Sequence, residues 1–301
     1  MRPIPTATRL PRMKAGIIGL GAMGYPMALN LHRAGLLATV WNRSAAKAAA
    51  VASATGAVAA ADAAEVARNC DVVITCVSAD ADLLEVVDAL AAGAHPGLVV
   101  CDCSTVAAAT AQEAARRLAA TGAAFLDTPV SGGVEGAKNA TLAVMAGGDA
   151  AALERARPVL AALSARIVLM GPVGSGQATK AVNQIMCAGI GQAVTEALAF
   201  GRAMGLDLER VIEVVGAGAA GNWFLDKRGH TLIRDDNAVG FKTRLLIKDL
   251  NICVAMARAA GGHLPTIETL LPQYEQLVAE GYGDEDHSAL YRLKKRLFPA
   301  G

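Results

Sequence analysis

The sequence predicts a parallel α/β domain followed by an all-α domain. Apolar segments that suit buried strands alternate with helix-forming segments up to about residue 170, which is typical of a parallel sheet covered by helices. After Gly171-Pro172 the strand pattern stops, and an almost uninterrupted helical segment begins at Ser175. A helix of ~30 residues spans ~45 Å, which is too long for a crossover between strands and suits a helix that connects two domains.

The strands of the α/β domain are predicted from short apolar runs that glycine or polar residues bound. Its helices are predicted where apolar and small residues recur at helical spacing, and the first one ends at Gly35. The predicted strands are Ala15–Ile18, Leu37–Trp41, 71–77, 97–101, 123–126, 141–146 and 166–169, and the predicted helices are 23–34, 45–54, 82–92, one that ends at 120, and 150–163.

The second domain is predicted to contain helices alone. Its first helix, 175–204, carries apolar residues at helical spacing along most of its length. The other predicted helices are 207–215, 223–230, Thr243–Ala259, 265–280 and 287–297.

Composition limits the functions that fit. The chain has 301 residues and a formal net charge of +1, which gives no reason to expect a nucleic acid or a membrane surface as a partner. The six cysteines include no C-x-x-C pair and lie mostly in apolar runs, which favours free buried thiols in a reducing, cytoplasmic compartment. No metal site is predicted. Residues 1–13 are expected to be a flexible extension, with a basic leader as the alternative.

A glycine-rich turn follows the first predicted strand. Gly19, Gly21 and Gly24 form G-x-G-x-x-G between that strand and a helix, which is the context that a dinucleotide-binding turn requires. The first glycine allows a tight turn, the second lets backbone N–H groups approach a pyrophosphate, and the third lets the helix pack closely. Residues 14–173 are therefore predicted to be a Rossmann domain that binds NAD(P), and the helical part is predicted to span residues 174–301. The predicted cofactor residues of the turn are Gly19, Leu20, Gly21, Ala22, Met23 and Gly24.

The end of the second strand indicates which dinucleotide is bound. An NAD site would place a carboxylate here for the ribose 2′-hydroxyl, but the sequence reads Asn42-Arg43-Ser44. Arg43 can pair with a 2′-phosphate, and Asn42 and Ser44 can donate hydrogen bonds to it, so NADP(H) is favoured over NAD(H). The alternative is a surface arginine, with Ser44 capping the next helix.

Two further loops follow strands at their carboxyl ends, where ligands of such sheets bind. Ser104 and Thr105 either contact the cofactor or cap the next helix, or do both. Ser131, Gly132 and Gly133 can present a hydroxyl and backbone N–H groups to a small carboxylate.

The long helix carries a lysine on an otherwise apolar flank. Lys180 has Asn183 and Gln184 one turn further on the same face. A buried lysine near a positive nicotinamide should have a lowered pKa, which suits a general acid or base. The alternative is a lysine whose stem lies on apolar surface and whose ammonium reaches water.

A second pair of charges interrupts the apolar helix that follows Phe241. Lys248 and Asp249 are either a solvated pair or face a cleft between the domains, with Asp249 orienting Lys180 and Lys248 reaching the cofactor.

Four separated segments together make the chain similar to the β-hydroxyacid dehydrogenase family. This is the group of 3-hydroxyisobutyrate dehydrogenase, tartronate semialdehyde reductase and the glyoxylate/succinic semialdehyde reductases. The resemblance extends from about residue 14 to 298. The matching segments are 17–30, 127–133, 174–184 and 248–250.

The resemblance implies a Rossmann domain and a helical substrate and dimerisation domain (174–301) like that of 6-phosphogluconate dehydrogenase, assembled as a homodimer or homotetramer. It implies that Lys180 is the catalytic acid/base and that Thr105 and Lys248 lie near the cofactor. It places Ser131, Gly132, Gly133 and Asn183 at the substrate carboxylate, with Phe241 and Asp249 at positions of the semialdehyde reductase branch. Asn42-Arg43-Ser44 is similar to the members that prefer NADPH. Gln184 departs from many relatives, in which a second asparagine is frequent.

The sequence therefore predicts an NADP(H)-dependent oxidoreductase that interconverts a small 3-hydroxy acid and its semialdehyde by hydride transfer. An imine reductase of the same architecture and a non-catalytic NADP-binding scaffold are the alternatives, and relatives of both kinds generally lack the lysine. The sequence does not select one substrate among glyoxylate, succinic semialdehyde, tartronate semialdehyde and methylmalonate semialdehyde.

Overall fold

A computed structural model of the chain describes residues 13–236 and 239–298. In the described part, the first unit contains one sheet of nine strands, in the order β3-β2-β1-β4-β5-β6-β8-β7, and β9 pairs with β8. The strands are β1 (Ala15–Ile18), β2 (Leu37–Trp41), β3 (Val58–Ala59), β4 (Val72–Thr75), β5 (Val99–Asp102), β6 (Ala124–Asp127), β7 (Val130–Ser131), β8 (Leu142–Gly147) and β9 (Ser164–Gly171).

The sheet is parallel from β3 to β6, as the alternating pattern predicts. At its other end the parallel prediction is incomplete, because β8 runs antiparallel to both β6 and β7. The chain turns back after only two residues of β7, and a strand that short leaves no hydrophobic period in the sequence to read.

Helices connect these strands: α1 (Gly24–Arg33), α2 (Ala45–Thr55), α3 (Ala63–Asn69), α4 (Asp80–Ala91), α5 (Ala108–Ala119), α6 (Gly133–Asn139) and α7 (Ala150–Ala161). Two buried clusters hold the sheet and helices together. Ile17 packs with Met27 of α1 in one cluster, whereas its neighbour Ile18 packs with Leu83 of α4 in the other. Adjacent strand residues face opposite sides, so helices cover the sheet on both faces.

The chain divides into two compact units, of which one ends at Gln177 and the other begins at Ala178. The division falls in the first turn of a single 29-residue helix, α8 (Ser175–Ala203). The extension predicted for residues 1–13 lies outside the described residues except for Met13.

The described part of the second unit is helical. After α8 come α9 (Leu208–Gly216), α10 (Trp223–Ile233), α11 (Thr243–Ala259), α12 (Pro265–Ala279), a 3-10 turn (His287–Ala289) and α13 (Leu290–Arg296). The helix predicted over 287–297 thus opens with a 3-10 turn. Each unit holds one of the chain's two tryptophans, Trp41 at the end of β2 and Trp223 at the start of α10. Within the described residues, no helix combines the length and apolarity needed to cross a bilayer.

Candidate active site

The predicted cofactor turn connects β1 to α1, and close packing explains two of its three glycines. Gly19 has φ +92°, and a Cβ added to it would overlap the carbonyl oxygen of Cys76. A Cβ on Gly24 would overlap the carbonyl oxygen of Gly19. The helix can therefore begin this close to the strand only if residue 24 is glycine. Gly21 has no such constraint, because a Cβ there would meet no atom within 4 Å. The protein's own packing therefore leaves space at the position where the motif needs room for a pyrophosphate.

The three residues after β2 are tied to the glycine turn and to α4. Asn42 Oδ1 accepts a hydrogen bond from Leu20 N at 2.9 Å, and its Nδ2 donates to Ser44 O at 3.2 Å. The Arg43 side chain is 77% exposed and pairs with Asp82 of α4 at 3.1 Å. Ser44 occupies the N-cap position of α2, as the alternative predicts, but its side chain makes no capping hydrogen bond. Asp82 lies 39 residues away from Arg43, and no local pattern indicates this pair.

The carboxyl end of β5 holds a buried carboxylate that sequence reasoning missed. Thr75 Oγ1 and Ser104 Oγ both donate to Asp102 Oδ1, at 2.7 and 2.6 Å. Asp102 Oδ2 is buried without a hydrogen-bond partner among the described residues. Burial raises the pKa of Asp102 to about 6, although the bonds from Ser104 and Thr75 oppose the shift.

The expectation that Ser104 or Thr105 caps the next helix is wrong. Ala107 occupies the N-cap position of α5, with extended backbone. Ser104 instead donates to Asp102 and accepts from Val77 N at 2.8 Å, so it joins the ends of β4 and β5. Thr105 is half-buried beside it.

The loop with Ser131, Gly132 and Gly133 connects β7 to α6. Gly132 has φ +129° and Gly133 has φ +61°, and both are exposed. Two consecutive residues at positive φ need glycine, because an L side chain is strained at such backbone angles. Ser131 is half-buried at the end of β7. The carboxylate site in this loop stays a prediction.

The first turn of α8 is bonded to the end of β6. Asp127 is buried and accepts from Gly174 N and Gln177 N, each at 2.8 Å. Gln177 in turn donates to Ser104 O at 2.9 Å and accepts from Val106 N at 3.2 Å. These bonds fix the start of the helix that carries Lys180 three residues later.

Lys180 is buried, with only 8% of its surface exposed, which excludes the alternative of an ammonium that reaches into water. Burial lowers the pKa of Lys180, while the charge of Asp249 opposes that shift. Asn183, one turn along α8, is half-buried. A buried lysine with a lowered pKa releases its proton more readily than an exposed lysine, which suits an acid/base role.

Asp249 is also buried, with 3% of its side chain exposed, so the Lys248–Asp249 pair is not a solvated surface pair. Lys248 Nζ lies 3.0 Å from Asp249 Oδ1. Gln184 Nε2 donates to Asp249 Oδ2 at 2.6 Å, and Gln184 Oε1 accepts from Asn183 Nδ2 at 2.8 Å. Burial raises the pKa of Asp249, and Lys248, Lys180 and Gln184 all oppose that rise. The structure thus brings together three of the predicted residues, because Lys248 pairs with Asp249 directly and Gln184 connects Asp249 to Asn183.

Phe241 precedes α11 and is held by residues that the sequence did not single out. Asp286 Oδ2 accepts from Gly240 N at 2.8 Å and from Phe241 N at 2.9 Å. His287 N donates to Phe241 O at 2.9 Å, and the two rings pack edge to face with centroids 6.1 Å apart. This segment lies 45 residues from Asp286 in sequence, so the sequence could not reveal the pairing.

The predicted residues are divided between the two units. The first unit holds the glycine turn, Asn42, Arg43, Ser44, Thr105, Ser131, Gly132 and Gly133, and the second holds Lys180, Asn183, Phe241, Lys248 and Asp249. The six cysteines are free thiols, four of them buried, whereas Cys187 is exposed, unlike the expectation of buried thiols. Across the described ranges, no three His, Cys, Asp or Glu side chains are grouped to hold a metal ion.

Two family models match most of the chain. Residues 14–171 match the NAD-binding domain of 6-phosphogluconate dehydrogenase. Residues 174–294 match the domain described as the NAD-binding domain of NADP-dependent 3-hydroxyisobutyrate dehydrogenase. The two matches follow the division into an α/β and a helical part.

Named relatives match over nearly their whole length. The chain is 36% identical to 2-hydroxy-3-oxopropionate reductase of Escherichia coli and to NAD-dependent L-serine dehydrogenase of Pseudomonas aeruginosa, each over 92% of this chain and 96% of the relative. Among solved structures, 3-hydroxyisobutyrate dehydrogenase of Mycobacterium tuberculosis, solved with L-serine, has a TM-score of 0.85 and 31% identity, covering 93% of this chain and 98% of that one. An imine reductase from Pseudomonas sp. is 18% identical with a TM-score of 0.64, which is a likeness of fold alone.

The matches confirm the resemblance drawn from the four sequence segments, and the imine reductase is more distant in sequence than these relatives. The chain belongs to the β-hydroxyacid dehydrogenase family, and it is an oxidoreductase with an NAD(P)-binding domain.

Proposed function

We propose that the protein interconverts a small 3-hydroxy acid and its semialdehyde with NADP(H), using Lys180 as the catalytic acid and base. The observation that carries this proposal is the burial of Lys180 within range of the charge of Asp249. Burial eases the loss of the Lys180 proton while the Asp249 charge favours its return, so the lysine can serve as both acid and base.

The chemistry divides between cofactor and chain. The dihydronicotinamide, when bound, supplies the hydride for the carbonyl carbon of the semialdehyde. Lys180 in its ammonium form donates a proton from Nζ to the carbonyl oxygen, which becomes the hydroxyl, and Lys180 is left neutral. In the oxidative direction, neutral Lys180 accepts the hydroxyl proton.

We assign the substrate carboxylate to Ser131, Gly132, Gly133 and Asn183. The consecutive positive φ angles of the two glycines support an anion-binding backbone in that loop. Phe241 and Asp249 are assigned to substrate binding, and Thr105 and Lys248 to the cofactor. The 2′-phosphate is assigned to Arg43, which is exposed at the end of β2 where the family binds the ribose. One relative is named an L-serine dehydrogenase, and a similar structure was solved with L-serine. L-serine is therefore a further candidate substrate for the oxidative direction.

We also propose that the protein forms a homo-oligomer. Val182, Met186 and Ile190 follow one another at four-residue spacing on α8 and are 55%, 63% and 39% exposed. An apolar stripe of this kind is suited to burial against a second copy of the chain.

Initial rates test the proposal. NADPH and NADH oxidation are measured with glyoxylate, succinic semialdehyde, tartronate semialdehyde and methylmalonate semialdehyde, and reduction of either cofactor is measured with L-serine. We expect NADPH-linked turnover of at least one acid semialdehyde. Tight NADPH binding without turnover of any of them would favour a non-catalytic scaffold.

Replacement of the lysine tests the mechanism. Lys180→Ala and Lys180→Met should each lower kcat by roughly two to four orders of magnitude, the usual contribution of a positioned acid or base, while NADPH binding is kept. In the wild type, reduction should fall as pH rises through the Lys180 pKa, because the proton donor is lost, and oxidation should rise over the same interval. Lys47→Ala, which removes an exposed lysine of α2, is the control. Near-normal turnover in Lys180→Met would contradict the assignment.

A further inference from the structure

A chain of three side chains runs from α8 to α11 and ends on a buried carboxylate. Asn183 Nδ2 donates to Gln184 Oε1 at 2.8 Å, and Gln184 Nε2 donates to Asp249 Oδ2 at 2.6 Å. The other carboxylate oxygen, Oδ1, pairs with Lys248 Nζ at 3.0 Å. Gln184 is 4% exposed, so water does not compete for these bonds.

The direction of the chain follows from what each group can do. A carboxylate only accepts hydrogen bonds, so the amide of Gln184 must turn its NH₂ group toward Asp249. Its carbonyl oxygen then faces Asn183, which must supply a donor and therefore turns its own NH₂ group toward Gln184. Gln184 thus links the orientation of the Asn183 amide to the charge of Asp249, and Cys187 Sγ, 3.5 Å from the same Nδ2, is a weaker second acceptor.

The length of the glutamine side chain matters for this link. An asparagine at position 184 is one methylene shorter, and it would draw the amide back by ~1.5 Å from Asp249, since that is the length of one C–C bond. The 2.6 Å bond to Oδ2 would then be lost. Glutamine at position 184 is therefore long enough to reach Asp249 from α8, whereas asparagine is not.

We propose that Gln184 is a positioning residue that fixes the amide of Asn183 for recognition of the substrate carboxylate. This inference rests on the proposed function, because it takes Asn183 as a ligand of that carboxylate. An asparagine with a fixed orientation presents a defined donor edge to an anion, whereas one free to flip presents donor and acceptor alternately.

Gln184 also acts on the charge next to Lys180. Its hydrogen bond favours the ionised form of Asp249, and the ionised form favours protonated Lys180. The charged or titratable groups that act on Lys180 are Asp249, Cys187, Lys248 and Cys253. Loss of the bond should therefore shift the alkaline limb of the reduction rate to lower pH, a change that a purely structural role would not produce.

Kinetics of Gln184→Met and Gln184→Asn test the proposal. Met keeps the length without the amide, and Asn keeps the amide without the length. In both variants we expect KM to rise about tenfold to a hundredfold for the acid semialdehyde that the wild type reduces. This is the usual effect of losing a hydrogen bond to a charged group, here the bond from Asn183 to the substrate carboxylate. We expect kcat to change less than threefold, and KM for propanal, which has no carboxylate, to stay unchanged. Gln192→Met, on the same helix and bonded to Glu196, is the control.

Side-chain NMR gives a readout that does not require turnover. The ¹⁵N-labelled Asn183 amide should shift and exchange faster with solvent in Gln184→Met than in the wild type. An unchanged Asn183 signal would overturn the proposal, and so would an equal rise in KM for propanal and for the acid semialdehyde. If the wild type reduces none of the aldehydes, the proposed function fails first, and this inference about the substrate carboxylate is overturned with it, whatever the NMR result.

Discussion

At the scale of single residues, the exposed ion pair between Arg43 and Asp82 bears on cofactor choice. The Asp82 carboxylate lies 3.1 Å from the guanidinium. Exposed pairs of this kind contribute little to stability, so a 2′-phosphate can take over the guanidinium at small cost. The pair therefore holds the arginine near the end of β2 without preventing the guanidinium from binding a 2′-phosphate.

This pair gives a prediction about cofactor discrimination. Arg43→Ala should raise KM for NADPH roughly tenfold or more, since a charge-assisted bond to a phosphate is lost, and should leave KM for NADH nearly unchanged. Asp82→Asn, which releases the guanidinium, should not weaken the binding of NADPH. An equal response of the two cofactors to Arg43→Ala would show that Arg43 does not bind the 2′-phosphate.

At the scale of elements, one aspartate organises the segment that leads into α11. Asp286 is 1% exposed and accepts from the backbone N–H groups of Gly240, Phe241 and Ser288. Arg228 approaches the same carboxylate at 3.8 Å. A loop held by backbone donors on a single side chain depends on that side chain for its conformation.

Removal of this carboxylate should be costly. Asp286→Ala leaves three backbone N–H groups without their buried acceptor, and we expect a loss of ~3–5 kcal/mol in the free energy of unfolding. Asp286→Asn keeps one acceptor oxygen and should lose less. Urea denaturation measures both, with Asp284→Ala, at a side chain 63% exposed, as the surface control. A loss below ~1 kcal/mol in Asp286→Ala would mean that the segment rearranges to satisfy these groups.

Elements also show how far the sequence could be read. The strand β1 and the glycine turn were predictable because a short apolar run leads directly into a motif of fixed geometry, and the helix α8 was predictable because its apolar residues recur over many turns. The strand β7, with two residues, and the helix α6, which contains two glycines, were missed because neither carries a readable period. Lys180, Asn183 and Asp249 could be named as candidates, but the glutamine that joins two of them depends on a contact across 65 residues.

At the scale of the whole molecule, the buried Asp102 links stability to pH. Its pKa is about 6 in the folded chain, above the ordinary aspartate value of 3.8 that applies once the chain unfolds, so the folded protein holds the proton more tightly. The contribution of Asp102 to the free energy of unfolding should therefore fall as pH rises from about 4 to about 6 and should be level above that. A shift of ~2 pKa units corresponds to ~3 kcal/mol.

Asp102→Asn isolates this contribution from that of other carboxylates. Glu113 and Glu280 have lowered pKa values because arginines bond to them, so they act on stability in the opposite direction. The difference in unfolding free energy between wild type and Asp102→Asn, measured from pH 4 to pH 8, should change by ~3 kcal/mol, since the other groups cancel. Asp88→Asn, at a surface ion pair, should show no such change. A pH-independent difference would mean that Asp102 stays ionised in the folded chain.

The positions of the two tryptophans give each unit its own optical label. Trp41 ends β2 and directly precedes Asn42, next to the turn assigned to the cofactor, whereas Trp223 begins α10 in the helical unit. A dihydronicotinamide absorbs light where tryptophan emits, so excitation energy passes from a nearby indole to a bound reduced cofactor. In Trp223→Phe the remaining emission comes from Trp41 and reports the cofactor turn, whereas in Trp41→Phe it comes from Trp223 and reports the helical unit. Fluorescence can therefore follow one unit while residues of the other unit are replaced.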